Sequence, residues 1–178
     1  VVTDANNCSV TTGMVITQPA LLQINPSNTA ILCNGNYSTI SVSTTGGTTP
    51  YQYNINGGVF QTASTFPGVV AGTYTLSVKD ANNCTASSVL VINQPAILNL
   101  SLNASSILCN GGSSNITATA TGGTTTYQYQ LNGGAFQSSN VFSGLSTGTY
   151  TIVVKDANDC TKSSSITIAQ PAPLVLSL

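Results

Sequence analysis

Along most of this chain apolar and polar residues alternate one for one. In Tyr74-Thr75-Leu76-Ser77-Val78-Lys79 the first, third and fifth residues share a face and the polar ones take the other, which is the period of a strand. Ile40 and Val42 follow the same rule, as do Tyr51, Tyr53 and Ile55. No stretch sustains a helical stripe, and β-branched Thr, Val and Ile dominate. Asn56-Gly57-Gly58 and Asn132-Gly133-Gly134 supply residues that accept φ > 0, as a tight hairpin turn demands. Gly46-Gly47 and Gly122-Gly123 mark another loop. The pattern predicts strands near 21–25, 37–45, 50–56, 58–62, 73–80 and 86–93. Short strands with turn signals about every ten residues predict an all-β antiparallel sandwich. Gly72-Thr73-Tyr74 and Gly148-Thr149-Tyr150 enter a late strand after a loop, where Tyr74 and Tyr150 suit either a tyrosine corner or plain core packing.

The pattern also recurs as a whole. Cys8, Cys84 and Cys160 stand 76 residues apart, as do Cys33 and Cys109, and Gln18-Pro19, Gln94-Pro95 and Gln170-Pro171 keep the same interval. Residues 33–95 align with 109–171 without a gap, and 36 of 63 positions are identical. A gapless period of this length implies tandem domains, each long enough to close a small core. The expected organisation is the end of one repeat at 1–19, whole repeats at 20–95 and 96–171, and the first strand of another at 172–178. The chain then reads as a segment of a longer array. Six strands would return each repeat to the end it entered. An extended array therefore needs a short extra strand near 64–67 or 29–33, or a zigzag.

Composition narrows what such repeats can do. The sequence has no His, Arg, Glu or Trp, and its charges are Lys79, Lys155, Lys162, Asp4, Asp80, Asp156 and Asp159. Without a basic patch, nucleic-acid binding has almost no electrostatic support. Apolar runs such as Val89-Leu90-Val91-Ile92 are far too short for a membrane span, so no direct membrane insertion is expected.

Five cysteines leave one unpaired in any intrachain scheme. Pairing within repeats gives Cys33–Cys84 and Cys109–Cys160, with Cys8 left alone by truncation. Pairing across the linker gives Cys8–Cys33 and Cys84–Cys109, leaving Cys160. Strand parity favours the first, because four intervening strands return both thiols to one end. Closing a loop of about 52 residues would stabilise each repeat by roughly 4 kcal/mol in the chain-entropy model. Regularly spaced cysteines in small β domains point to an oxidising, extracellular setting. Reduced core cysteines are the other reading.

One combination of motifs is familiar. Gly46-Gly47, Pro50-Tyr51, Tyr53, Asn56-Gly57-Gly58, Phe60, Phe66, Gly68, Gly72-Thr73-Tyr74, Val78, Asp80, Cys84 and Gln94-Pro95 together resemble the SprB-repeat family. Its members occur in very large surface adhesins of gliding Bacteroidetes, exported by the type IX secretion system. The second copy carries the string from Gly122-Gly123 to Gln170-Pro171 and departs at Thr126, where the first has Pro50. The resemblance implies a secreted, immunoglobulin-like stalk unit at the cell surface, and it brings no catalytic residues.

Candidate chemistry is sparse. Without His or Glu, acid–base work would fall to Asp, Lys, Tyr or Cys, and the acids sit beside turns that repeat with the fold. No enzyme and no cofactor are expected, and single cysteines without histidines disfavour zinc. Asp156, Asn158 and Asp159 form a weak calcium candidate, since that ion takes six to eight oxygens. Against it, Asp and Asn in one turn usually bond local backbone. Lys79 alternates with Val78 and so faces solvent, which disfavours a Lys–Asn crosslink. Sequons, among them those that begin at Asn7, Asn36, Asn83, Asn103 and Asn115, are about as many as chance would give.

The expected function is a non-enzymatic, disulfide-closed spacer in an adhesin stalk or surface filament, serving adhesion or gliding. Its partners would be neighbouring repeats, then lateral self-association or surface glycans. A carbohydrate-binding module is the alternative, with Tyr51, Tyr53, Tyr127 and Tyr129 as a stacking platform if they face out rather than into the core.

Overall fold

The computed structural model describes residues 1–176. The strands are β1 (Val2–Thr3), β2 (Ser9–Val10), β3 (Gln23–Asn28), β4 (Ser38–Thr45), β5 (Gln52–Ile55), β6 (Thr65–Val69) and β7 (Gly72–Lys79). They continue with β8 (Thr85–Ile92), β9 (Asn99–Ala104), β10 (Ser114–Thr121), β11 (Gln128–Leu131), β12 (Val141–Leu145), β13 (Gly148–Lys155) and β14 (Thr161–Ile168). The architecture is all-β and repetitive. A small β1-β2 hairpin is followed by three-stranded sheets ordered β3-β4-β6 and β5-β7-β8, and then by β12-β10-β9 and β11-β13-β14. Residues 172–176 join no ladder, and 177–178 lie outside the described residues.

Two compact units are present. One gathers Val1–Ser27, Ser41–Phe66 and Tyr74–Leu90; the other gathers Asn28–Ile40, Pro67–Thr73 and the chain from Val91 onward.

In the second unit, β10 alternates as the pattern predicts. Ser114, Ile116 and Ala118 are buried, while Asn115, Thr117 and Thr119 face out. β13 sends Ile152 and Val154 inward with no exposed surface. These join Leu98, Ile107, Tyr129, Phe142 and Ile168 in one cluster drawn from both sheets. Burying each such aliphatic side chain contributes about 2–3 kcal/mol. In the first unit Leu76 and Val78 of β7 are fully buried, with Val42, Tyr53 and Phe66 also inside.

The hairpin turns form where the sequence places them. Asn56 and Gly57 both have positive φ (50° and 73°), and the Gly58 amide donates to the Ile55 carbonyl at 3.0 Å. That is the type I′ geometry whose twist matches the strands. The Asn56 side chain adds a tie, its Oδ1 accepting from the Thr75 amide at 2.9 Å. Asn132, Gly133, Gly134 and Thr151 reproduce the arrangement.

Strand placement needs two corrections. The strand expected at 58–62 is reduced to a single bridge between Tyr53 and Gln61. The cause is Gln61, whose Nε2 donates to the carbonyls of Ala63 and Thr65 and curls the chain away from β5. The chain then enters β6, which matches one of the alternatives left open, a short strand near 64–67. The first strand also starts later than expected, at Gln23 rather than residue 21.

Candidate functional site

The residues that recur most faithfully meet at two places: a corner built on an aspartate, and a loop that carries a cysteine.

The corner begins where β13 ends. Asp156 is 3% exposed, and its carboxylate is spent on backbone amides. Oδ2 accepts from Thr124 N at 2.8 Å, and Oδ1 accepts from Asn158 N at 2.9 Å and Cys160 N at 3.0 Å. Burial alone would raise the Asp156 pKa, but those three amides outweigh it and hold the carboxyl below the ordinary carboxylate range. Asp80 does the same with Thr48, Asn82 and Cys84 at 2.9, 2.9 and 2.8 Å. The Thr48 amide leads in lowering its pKa, with burial opposing and the Cys84 and Asn82 amides assisting. Asp4 forms only the turn, bonding the amides of Asn6 and Cys8. Asn7, Asn83 and Asp159 take positive φ within these turns, as short polar side chains tolerate.

This geometry shows where the calcium candidates point. The Asp156 oxygens face N–H donors, an environment made for an anion. Asp159 pairs with Lys155 at 2.9 Å, and the Asn158 side chain donates to Leu32 O at 3.1 Å and Thr124 Oγ1 at 3.0 Å. The three residues build a turn.

The cysteine loop runs Leu32-Cys33-Asn34-Gly35. Asn34 Nδ2 donates to Pro95 O at 2.8 Å, and Gly35 N donates to Gln94 Oε1 at 2.9 Å. Asn110 and Gly111 bond Pro171 and Gln170 in the same way, at 3.1 and 2.9 Å. The recurring Gln-Pro pair is therefore a dock for this loop, a role that sequence reading missed.

The disulfide differs from both schemes considered. Cys33 joins Cys160, with Cα atoms 5.7 Å apart, and Cys8, Cys84 and Cys109 are free and exposed. The expected Cys33–Cys84 and Cys109–Cys160 pairs do not form. Parity counts which end of a domain a thiol reaches and says nothing about what holds it there. Here Gln94 and Pro95 fix the Cys33 loop beside the segment that leads to the second sheet pair, and Asn158 of the Cys160 turn bonds Leu32 next to it. Cys8 is free as expected, but so are two cysteines expected to be paired.

The tyrosines have structural partners. Tyr53 and Tyr129 are buried, and burial raises the Tyr129 pKa. The hydroxyls of Tyr51 and Tyr127 each donate at 2.6 Å to a glycine carbonyl five residues upstream, Gly46 and Gly122. The Tyr150 hydroxyl donates to Ser146 O at 3.1 Å, as a tyrosine corner requires. The lysines cap rings: Lys79 Nζ lies 4.8 Å from the centre of Phe60, and Lys155 Nζ 5.1 Å from that of Phe136. Each lysine lies 19 residues from its ring, a separation that gave no signal of this pairing in the sequence.

Comparisons with known proteins follow this geometry. No curated protein matches the chain. Among solved structures, it is similar to the C-terminal 282-residue fragment of intimin, determined with the intimin-binding domain of the translocated intimin receptor. Identity is 14%, covering 85% of this chain and 64% of that one, with a TM-score of 0.45. It is also similar to SGBP-B of a Bacteroides ovatus mixed-linkage glucan utilization locus, in complex with a heptasaccharide. There identity is 14%, coverage 82% and 47%, and the TM-score 0.22. The chain spans less than two thirds of either. A family model described as SprB repeat matches residues 101–136, from β9 through the Asn132-Gly133 turn to Phe136. Over that stretch the chain is similar to the SprB-repeat family.

Proposed function

We propose that the chain is a structural spacer from the stalk or filament of a surface adhesin. Its repeats, at 20–95 and 96–171, are immunoglobulin-like sandwiches repeating every 76 residues, with 1–19 and 172–178 belonging to neighbouring copies. The observation that carries this reading is that the bonded frame recurs whole: the aspartate corner, the Gln-Pro dock, the Asn-Gly turn and the tyrosine–glycine bond each appear twice. What recurs holds backbone in place, which is what a load-bearing spacer needs. The Cys33–Cys160 bond adds a covalent limit to extension.

Single-molecule pulling tests the reading. With the disulfide intact, the 127-residue separation is withheld from extension. Reductant should then release about 430 Å of additional contour length, at roughly 3.4 Å per residue. Equal contour gains with and without reductant would rule out the clasp. Saturable glycan binding by the two-repeat chain, lost in Tyr51→Ala and Tyr127→Ala variants, would instead favour a lectin-like module.

A further inference from the structure

Four asparagines in this chain are followed directly by glycine: Asn34, Asn56, Asn110 and Asn132. Such pairs are chemically labile, because glycine has no Cβ and presents the least hindered amide nitrogen to the asparagine side chain. The structure divides the four into two classes.

Asn56 and Asn132 are held by their sheets. The Asn56 amide donates to Thr75 O at 2.8 Å, and its Oδ1 accepts from Thr75 N at 2.9 Å. Thr75 belongs to β7, which pairs with β5 from Gln52↔Lys79 to Ile55↔Leu76. Asn132 is tied to Thr151 of β13 in the same way. Freeing either side chain means parting two strands at the end of a ladder.

Asn34 and Asn110 are exposed, in loops that join no ladder. Gly35 (φ 83°) and Gly111 (φ 79°) take the third position of turns closed by Asn36 N on Cys33 O and Gly112 N on Cys109 O, where positive φ calls for glycine. Asparagine supplies the Nδ2 donor that reaches Pro95 O or Pro171 O. The turn thus fixes Gly and the dock fixes Asn, and together they write a labile pair. While the dock is closed both reacting groups are occupied. The glycine N–H donates to Gln94 or Gln170 Oε1 at 2.9 Å, and the side-chain amide faces the proline carbonyl. Releasing them breaks two hydrogen bonds and no strand, an opening of the local, low-energy kind.

We propose that Asn34 and Asn110 are self-modification sites, protected by the closed Gln-Pro dock and converted to aspartate or isoaspartate when it opens. In the open loop the glycine nitrogen gives its proton to solvent base and attacks the asparagine Cγ. A C–N bond forms, the bond from Cγ to the side-chain nitrogen breaks, and that nitrogen leaves as ammonia with a proton from solvent. Water then opens the cyclic imide at either carbonyl, with no change of oxidation state. The product carries a carboxylate where Nδ2 donated, acceptor against the Pro95 or Pro171 carbonyl, so a dock that has opened and reacted stays open. Each event also adds one negative charge to a chain whose formal net charge is -1. The inference does not rest on the spacer role.

The test is prolonged incubation of the whole chain in mildly alkaline buffer, with peptide mapping by mass spectrometry to follow amide-to-acid conversion at all four pairs. Asn34 and Asn110 should convert before Asn56 and Asn132. Gln94→Ala should speed Asn34 roughly fivefold, as loss of one net hydrogen bond shifts an opening equilibrium, and leave Asn110 unchanged. Gln170→Ala should do the converse. Gln94→Glu keeps an acceptor oxygen for the Gly35 amide and should hold Asn34 near the parent rate. Equal rates at all four pairs in the parent chain would overturn the inference, as would Asn56 or Asn132 reacting first. So would a parent-like Asn34 rate in Gln94→Ala, or acceleration of all four pairs together, since the rates would then report global unfolding rather than release of one loop.

Discussion

Replacing Asp156 by Asn keeps the outline of the side chain but removes its charge and one of its two acceptor oxygens. In the native corner three amides converge on that carboxylate, from Thr124, Asn158 and Cys160. The Asn oxygen can keep the two bonds made by Oδ1. Its NH2 group must then face the Thr124 amide at the 2.8 Å spacing of a hydrogen bond, donor against donor. One charge-assisted bond is lost, worth about 1.5–3 kcal/mol, and the remaining two weaken to neutral strength. The expected loss is about 3 kcal/mol in urea denaturation, followed by circular dichroism because the chain has no Trp. Asp159→Asn is the control. Asp159 is 80% exposed and pairs with Lys155 at the surface, so its loss should stay below about 1 kcal/mol. A pH series gives an independent reading. The folded Asp156 pKa lies below its unfolded value of about 3.9, so its contribution is complete above about pH 4 and is lost as pH falls through the folded value. The variant should therefore flatten the acid limb while Asp80 leaves part of it in place. If Asp156→Asn and Asp159→Asn cost the same, or if the acid limb is unchanged, the corner is not what holds the loop.

Gly122→Ala should be among the most damaging single changes, by about 3 kcal/mol or more, because φ is +74° and a Cβ would run into the Ile97 carbonyl; thermal melting reads it directly. Tyr127→Phe removes only the hydroxyl bonded to Gly122 O and should cost about 1 kcal/mol, read from the same melts. Cys33→Ser opens a loop with a 127-residue separation and should lower stability by about 5 kcal/mol in the chain-entropy model, an effect that reduction of the parent chain should reproduce.

The fold was legible wherever one local rule decided the outcome. Alternation placed β7 and β13, because Leu76 and Val78, or Ile152 and Val154, have a buried face to occupy and polar neighbours that prefer water. Asn-Gly located the I′ turns for the same reason: few residues accept two positive φ angles in succession. Gln61 defeated the method, since a polar side chain bonding two carbonyls ahead has no periodicity, and it decided where the fourth strand begins. The cysteines failed for a different reason. Spacing showed that Cys33 and Cys109 are equivalent, but a disulfide breaks the equivalence by joining a loop from one copy of the motif to a corner from the next. A parity argument that treats each repeat as closed cannot produce that pairing.

The few charges in this chain explain why the frame can be reused. Asp80 and Asp156 are turned inward onto amides, Asp4 caps a turn, and Lys79 and Lys155 lie over Phe60 and Phe136. Each of these charges stabilises a bend or covers a ring within its own stretch of chain. An array of identical modules whose charges face outward would repel along its length or attract at the wrong register. With Asp80 and Asp156 satisfied by backbone, Asp159, paired with Lys155, and Lys162 remain as exposed charges on a surface rich in Ser, Thr, Asn and Gln. In the spacer role proposed above, copies in series would take their register from shape rather than from long-range charge.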